Sequence, residues 1–233
     1  MEPQDWIALG LVYLIIIVSL SVSMYLEKKG SAVDTRKVVH IGVGNFVFVW
    51  WMFTEGWVML AFFTVPFALI LFLAICKNNA VSRSRLGDLS NQGHKTGLLF
   101  YAITITILVI LCPDHWSAAS VGVVAMTYGD GFGSVIGKKF GRHKIINGKS
   151  LEGSFGVFAL TFAVSMCVLL FYGFLASSGY YPAGAYGGIV PAWAACAAAG
   201  LIAAVVEVIS SGVYDNLAVP LTVTLAMVLL GLR

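Results

Sequence analysis

Long apolar runs with few or no charged residues constrain this chain more than any other feature of its sequence. Most of them approach the roughly 20 residues that a helix needs to cross a bilayer. Backbone groups in hydrocarbon must be hydrogen-bonded within their own segment, and runs of this length without alternating polarity favour helices over barrel strands. The runs are Trp6–Leu26, Val38–Phe53, Trp57–Cys76, Thr96–Cys112, Trp116–Tyr128, Phe155–Leu175, Gly187–Ile209 and Leu217–Leu232.

We therefore predict an all-α integral membrane protein, a polytopic helical bundle of about eight transmembrane helices. The number falls to seven if the fifth run does not span, because that run is short unless its helix continues through Gly129-Asp130-Gly131 towards Ile136. We expect one integral-membrane domain over residues 1–233, with loops near 27–37, 77–95 and 129–152. The first run lacks the cleavage pattern of a signal peptide, so we expect it to remain as a membrane helix.

The composition excludes two other classes of protein. Hydrophobic residues make up 59% of the chain and charged residues 11%, whereas soluble domains carry roughly 25% charged residues. A chain this apolar cannot cover a soluble surface with polar groups, and it is too apolar to stay disordered. The formal charge of +3 is too small to indicate a nucleic acid as partner.

The basic residues predict which side of the membrane each connection faces. Of the 14 lysines and arginines, 13 lie in three connections that fall on one side if the spans alternate. Cytoplasmic loops are enriched in Lys and Arg, so we expect these connections to be cytoplasmic and both termini to lie outside. The residues are Lys28, Lys29, Arg36, Lys37, Lys77, Arg83, Arg85, Lys95, Lys138, Lys139, Arg142, Lys144 and Lys149.

The densest polar segment is YGDGFGSVIGKKFGRHKIINGKSLEGS, residues 128–154. Glycine amides can line an anion cavity, lysines supply the charge that a polyphosphate needs, and Asp130 and Glu152 can hold the Mg²⁺ of a nucleoside triphosphate. This combination predicts a phosphate-handling loop at the cytoplasmic membrane face. The alternative for Gly133, Gly137 and Gly141 is a stripe at which two helices pack closely.

A second polar cluster precedes the last run. Glu207 lies inside or at the edge of an apolar run, where a carboxylate is costly unless it faces a cavity, a partner or a cation. It is therefore a candidate functional residue. Asp215-Asn216 belong either to the same site or to a turn or helix cap before the last run.

A third cluster opens the second run. Arg36 and His40 lie four residues apart and therefore share a helix face. At a membrane surface they could hold a phosphate or orient a proton acceptor. A contact with lipid headgroups or with the protein core is the alternative for His40.

Together the three clusters resemble the polyprenol kinase family, which contains dolichol kinases, phytol kinases and CTP-dependent diacylglycerol kinases. The motifs are R-K-x₂-H at 36–40, G-D-G-x₅-G-K-x₂-G-x₂-K at 129–144 followed by G-K-S-x-E-G-S at 148–154, and E-x₇-D-N-x₃-P at 207–220. The resemblance implies that a membrane alcohol is phosphorylated, with CTP as the donor and Mg²⁺ as the metal. Eukaryotic dolichol kinases carry a long extra membrane region that this chain lacks, which favours a compact prokaryotic-type member acting on a polyprenol, geranylgeraniol or phytol.

The resemblance also assigns roles to residues of this sequence. The nucleotide region of the family corresponds to Gly129-Asp130-Gly131 and Lys138–Gly153, and its acidic motif corresponds to Glu207 with Asp215-Asn216. One of the carboxylates or His40 is the expected acceptor of the hydroxyl proton. The expected Mg²⁺ ligands are Asp130, Glu152, Glu207 and Asp215, and the expected nucleotide-binding residues are Gly129, Gly131, Lys138, Lys144, Lys149, Ser150, Arg36 and Asn216.

Three other activities remain open on the sequence. A CTP-dependent diacylglycerol kinase and a lipid-phosphate cytidylyltransferase would use the same motifs on other lipids. A small transporter could couple ions through Glu207 and Asp215, with glycines breaking its helices. Against the transporter, the polar residues gather at one membrane face and no inverted repeat is evident.

Overall fold

The computed structural model describes residues 1–31, 34–91, 96–181 and 188–232, without the side chains of Arg85, Leu89 and Asn91. It divides into two compact units, Met1–Leu111 and Cys112–Arg233. Lys95, which belongs to a predicted loop, and Gly187, which starts the seventh predicted run, lie outside the described residues.

The first unit is helical, and its first two helices begin at polar residues. At the start of α1 (Pro3–Lys28) the backbone amide of Glu2 donates to the carboxylate of Asp5 over 2.7 Å. Asp34 caps α2 (Thr35–Val43) by accepting from the amide of Lys37, which satisfies a donor that the helix leaves unpaired. The other elements are 3₁₀ turns at Gly44–Phe48 and Trp50–Met52, α3 (Gly56–Met59), a π-helical turn at Leu60–Thr64, α4 (Val65–Ile75), α5 (Arg85–Asn91) and α6 (Gly97–Leu111).

Two segments of the first unit differ from their prediction. The run Val38–Phe53 is not one α-helix, because the Asn45 side-chain amide donates to the carbonyls of Ile41 and Gly42 and so competes with the next helical turn. The predicted loop at 77–95 contains α5, which packs against α4. Tertiary packing therefore stabilises a helix that has no sequence period of its own.

The second unit contains the longest described helix, which has 27 residues. A continuous helical segment runs through α7 (Trp116–Val124), a π-helical segment (Ala125–Asp130) and α8 (Gly131–Phe140). The fifth predicted helix thus continues through Gly129-Asp130-Gly131, and the loop predicted from residue 129 begins instead at Gly141. The remaining elements are a 3₁₀ turn at Ile146–Gly148, α9 (Leu151–Ser177), α10 (Ala192–Ile209) and α11 (Asp215–Leu229).

The surface of these helices is typical of a membrane protein. Among the described residues, four helical segments are long and apolar enough to cross a bilayer, namely Pro3–Lys28, Gly56–Ile75, Leu151–Ser177 and Ala192–Ile209. About a third of each is buried within the protein, which leaves most of its apolar surface outward. Two more helices, Gly97–Leu111 and Asp215–Leu229, are apolar but shorter. The prediction of a helical membrane protein is supported, whereas the number of about eight spans stays a prediction.

Close packing of α8 against α9 accounts for several glycines. A Cβ atom on Gly133 would meet the side chain of Val157 and lie 3.1 Å from the carbonyl oxygen of Gly153. A Cβ atom on Gly156 would lie 2.7 Å from Ile136. The helix-packing alternative therefore holds for Gly133 and Gly137, where small residues bring the two helix backbones together, whereas Gly141 follows α8.

Candidate active site

A cleft of about 220 Å³ opens in the second unit, where α8, the start of α9 and the end of α10 meet the connection between α8 and α9. We call this connection, residues 141–150, the α8–α9 loop. Three lysines line the cleft together with small residues. The cleft therefore combines positive charge with enough space for a bulky anion. The lining residues are Gly133, Ser134, Gly137, Lys138, Lys144, Gly148, Lys149, Ser150, Gly153, Ser154 and Glu207.

Lys149 connects this cleft to a group of buried carboxylates. Its ammonium donates to the carboxylate of Glu207 and lies 3.7 Å from Oδ2 of Asp215. Glu207 and Asp215 come from the end of α10 and the start of α11, and Asp130 from the π-helical segment. All three carboxylates are buried, with 4%, 7% and 7% of Glu207, Asp215 and Asp130 exposed.

The surrounding carboxylates keep Lys149 protonated. Burial alone would lower the pKa of its ammonium, but the hydrogen bond and charge of Glu207 and the charges of Asp130 and Asp215 together raise that pKa above the ordinary value. Lys149 is therefore a fixed cation at the bottom of a region that is otherwise negative.

The charges of the site are separated into two zones. Asp130, Glu207 and Asp215 around Lys149 carry a formal charge of three minus against one plus, which leaves −2 on the inner zone. Lys138 and Lys144 line the cleft outside this group. A divalent cation that neutralises the inner zone, with phosphates held by the outer lysines, matches this distribution.

The fit to Mg²⁺ rests on the chemistry of these oxygens. The described residues contain no group of three or more His, Cys, Asp or Glu side chains placed to hold a metal by themselves. Mg²⁺ is usually bound through one or two carboxylates, with phosphate oxygens and waters completing its shell. Glu207 and Asp215 suit such a site, since both lie within ion-pair distance of a cation, the Lys149 ammonium, and the charge of Asp130 acts on the same ammonium.

Glu152 has a different partner from the other three carboxylates. Oε1 of Glu152 lies 2.7 Å from Nδ1 of His143. Oε2 of Glu152 accepts from the backbone amide of His143 at 3.3 Å. These contacts tie the first turn of α9 to the α8–α9 loop. The metal-binding and catalytic roles of Glu152 stay predictions, and its contacts in the structure are those of a residue that holds the loop.

The predicted nucleotide-binding residues of the second unit, apart from Lys149 and Asn216, occupy three kinds of position. Gly129 and Gly131 are buried in the helical segment, where the amide of Gly131 donates to the carbonyl of Tyr128. Ser150 caps α9 by accepting from the amide of Gly153 at 3.2 Å, and it also lines the cleft. Lys138 lies in the last turn of α8 and lines the cleft with Lys144.

Asn216 supports the carboxylate of Asp215. Its backbone amide donates to Oδ1 of Asp215 at 2.8 Å, and its side-chain amide donates to the same oxygen at 3.2 Å. Oδ2 of Asp215 is the oxygen near Lys149. Asp215 thus begins α11 and lies beside the Lys149 ammonium, and the functional role of this pair stays a prediction.

Arg36 and His40 belong to the first unit. His40 is buried, and its ring lies 4.4 Å from the ring of Tyr101. It borders a narrow apolar cavity whose other walls include Val39, Leu71 and Leu98. Arg36 lies one turn earlier on α2 and is half-buried. A packing contact is thus present at His40, and the roles of both residues in binding and proton transfer stay predictions.

Two residues of the site are missing from the sequence-based set. His143 pairs with Glu152, and Asn147 donates from its side-chain amide to the carbonyl of Val208 at 2.9 Å. Asn147-Gly148 is a turn signal in sequence, because both residues tolerate the left-handed backbone region that they adopt here. That signal predicts a turn but not the helix end that the turn contacts.

Comparison with known proteins agrees with the chemistry of the cleft. The phytol kinase of Synechocystis sp. is 31% identical over 227 residues, which cover 93% of this chain and 88% of that protein. The chain belongs to the phytol and polyprenol kinase family. A probable phytol kinase of Triticum aestivum is 30% identical over 84% of the chain and 67% of its own length, and the farnesol kinase of Arabidopsis thaliana is 28% identical over 84% and 64%.

Both of these plant relatives of the family are named chloroplastic proteins. No protein-family model matches the chain, and no solved structure matches it.

Proposed function

We propose that this protein is a membrane-bound kinase that transfers the γ-phosphate of CTP to an isoprenoid alcohol of the phytol, geranylgeraniol or dolichol type. Relatives named phytol kinase and farnesol kinase support a kinase that acts on an isoprenoid alcohol. The observation that carries the proposal is the position of Lys149, which joins a lysine-lined cleft to three buried carboxylates. The choice of CTP as donor rests on the resemblance of the sequence motifs.

The lysines of the cleft bind the donor in this proposal. Lys138 and Lys144 meet the charge of the triphosphate at the mouth of the cleft, and Lys149 meets the transferring phosphoryl group. Asp130, Glu207 and Asp215 are the carboxylates that would hold the metal that accompanies the nucleotide, with one or two of them binding it directly. Bound Mg²⁺ supplies charge neutralisation and orientation of the phosphates.

The reaction breaks the bond between the γ-phosphorus and its bridging oxygen and forms a bond from that phosphorus to the lipid oxygen. CDP leaves, and the hydroxyl proton of the alcohol passes to a protein base. Within the second unit, Asp130 and Asp215 are the candidates for that base. The hydrocarbon tail of the alcohol stays in the bilayer, against the apolar outer surface of the helices.

Substitutions in the charged site test this assignment. Asp130→Ala and Lys149→Ala should each lower turnover by about 100-fold or more, because the first removes a carboxylate that would hold the metal and the second removes a positive charge that would stabilise the transferring phosphoryl group. Lys139→Ala is the matched control: Lys139 is on the same helix end as Lys138 but its ammonium lies 5.2 Å from the centre of the Phe140 ring, and it does not line the cleft. The assay uses purified enzyme, CTP and lipid alcohol, with membrane insertion verified for each variant. Near-normal turnover in both Ala variants would contradict the site.

A further inference from the structure

The α8–α9 loop is joined to the end of α10 through Asn147. The side-chain amide of Asn147 donates to the carbonyls of Val208 and Ile209, at 2.9 and 3.4 Å. α10 ends at Ile209, and the carbonyls of a last helical turn lack partners within the helix. Asn147 therefore caps α10 from a distant part of the chain.

This cap lies directly beside the ion pair of the charged site. Asn147 and Lys149 are two residues apart in the loop, and their partners Val208 and Glu207 are adjacent on α10. Both contacts therefore join the same two short segments. Displacing the loop from the end of α10 would move the Lys149 ammonium away from Glu207.

The backbone around Asn147 fixes the position of Lys149 relative to that of Asn147. Asn147 adopts the left-handed conformation with φ 57° and ψ 24°, which Asn tolerates better than most residues. The turn is closed on both sides, since the amide of Ile145 donates to the carbonyl of Lys149 at 3.0 Å and the amide of Lys149 donates to the carbonyl of Ile146 at 3.2 Å. Lys149 thus has little freedom to move relative to Asn147.

We propose that Asn147 is a positioning residue for the phosphoryl-transfer site: by capping the end of α10 it holds the α8–α9 loop so that Lys149 faces Glu207 and Asp215. The role in catalysis rests on the proposed function, whereas the role in holding Lys149 does not. Asn147 acts through Lys149 and touches neither phosphate nor alcohol.

Three substitutions separate the cap from the backbone conformation. Asn147→Gly keeps access to the left-handed region and removes the amide, and Asn147→Asp keeps the shape but removes both side-chain N–H donors. Asn78→Ala is the control, because Asn78 also has a positive φ, 66°, in a connection of the first unit. It strains a left-handed backbone position in the first unit and leaves the side chain of Asn147 in place.

The first measurement is steady-state kinetics on the full-length enzyme in detergent. Asn147→Gly and Asn147→Asp should raise the KM for the nucleotide about tenfold and leave the KM for the alcohol unchanged. A purely structural role would instead reduce the active fraction, which lowers kcat and leaves both KM values as they are. Asn78→Ala should stay within about twofold of the wild type. An unchanged nucleotide KM in Asn147→Gly overturns the proposal.

The second measurement needs no enzymatic activity. An amine-reactive acylating reagent is applied to the intact protein, and the modification of each lysine is followed by mass spectrometry with exposed Lys139 as the internal reference. Lys149 should react about fivefold faster in Asn147→Gly than in the wild type, because its ammonium loses its carboxylate partner. Equal reactivity overturns the proposal. A wild-type enzyme that phosphorylates no prenol refutes the proposed function, while the labelling result still decides the role of Asn147.

Discussion

Lys149 determines the chemistry of the cleft at the scale of single residues. A buried carboxylate without a partner is very unfavourable, and Glu207 and Asp215 each have Lys149 within ion-pair distance. These carboxylates also keep Lys149 charged, so that a cation is present at this position of the cleft. Removing one member would leave an uncompensated buried charge, which is why single substitutions here affect both stability and activity.

Glu207→Gln should make the enzyme sensitive to alkaline pH. In the wild type burial lowers the pKa of Lys149, and the hydrogen bond and charge of Glu207 are the largest of the contributions that raise it above the ordinary value. Loss of that carboxylate lowers the pKa, so the ammonium deprotonates at a lower pH and the alkaline limb of the kcat/KM profile shifts downwards in pH. Glu55→Gln, at an exposed site in the first unit, is the control with an unchanged profile. Superimposable alkaline limbs for Glu207→Gln and the wild type would refute this role.

The residues of the charged site could be predicted because of where they lie in the sequence. Asp130 and Glu207 are carboxylates at the edges of apolar runs, where chance seldom places them. The structure brings both of them to Lys149. Asn147 and His143 could not be predicted in the same way, since an Asn in a turn and a His in a loop are ordinary. Asn147 matters because it contacts the end of α10, which is distant in sequence. His143 matters because it pairs with Glu152, and nothing in the sequence marks that pair.

At the scale of elements, the loop that we predicted from residue 129 is helical at its start. There the chain continues the π-helical segment Ala125–Asp130 into α8. Gly129 and Gly131 have low helix propensity, so the local sequence favours a break. Packing against α9 overrides that preference, because a Cβ on Gly129 would meet the side chain of Thr161. The glycines therefore allow close contact within a continuous helix, and the first left-handed glycine of this region is Gly148.

Gly133→Ala should separate α8 from α9 and destabilise the second unit. The added methyl group meets Val157 and lies 3.1 Å from the Gly153 carbonyl, and overpacking of this kind costs about 1–3 kcal/mol. Gly173→Ala on α9 is the matched control, because nothing lies within 4 Å of its Cβ position. Helix propensity predicts that the control is neutral or stabilised by up to about 1 kcal/mol. Thermal unfolding in detergent measures both, and equal midpoints for the two variants would contradict the packing.

At the scale of the whole molecule, the outward-facing apolar surface of the helices requires a bilayer. The composition alone was enough to predict this, because only 11% of the residues are charged. The number of spans could not be predicted from hydropathy in the same way. The helical segment from α7 to α8 and the 3₁₀ turns after α2 are apolar in sequence, but their geometry is not that of single straight helices.

The two ends of α9 should lie on opposite sides of the membrane. The helix has 27 residues and is about 40 Å long, which exceeds the roughly 30 Å hydrocarbon core. In a variant without its four free cysteines, a single cysteine at Ser178 should react with a membrane-impermeant maleimide in intact cells. A single cysteine at Lys139 should react only after permeabilisation, because we predict that the basic loops face the cytoplasm. Labelling of both sites in intact cells would contradict this topology.

The central claim, phosphoryl transfer to an isoprenoid alcohol, is tested most directly by following the label of the nucleotide. Purified enzyme receives CTP or ATP labelled at either the α- or the γ-phosphate, together with phytol, farnesol, geranylgeraniol, dolichol or diacylglycerol. We predict that γ-label from CTP enters an isoprenoid alcohol as its monophosphate, and that α-label stays in CDP. Transfer of α-label to a lipid phosphate would indicate a cytidylyltransferase, γ-label in diacylglycerol alone would indicate a diacylglycerol kinase, and label in no lipid would contradict the kinase itself.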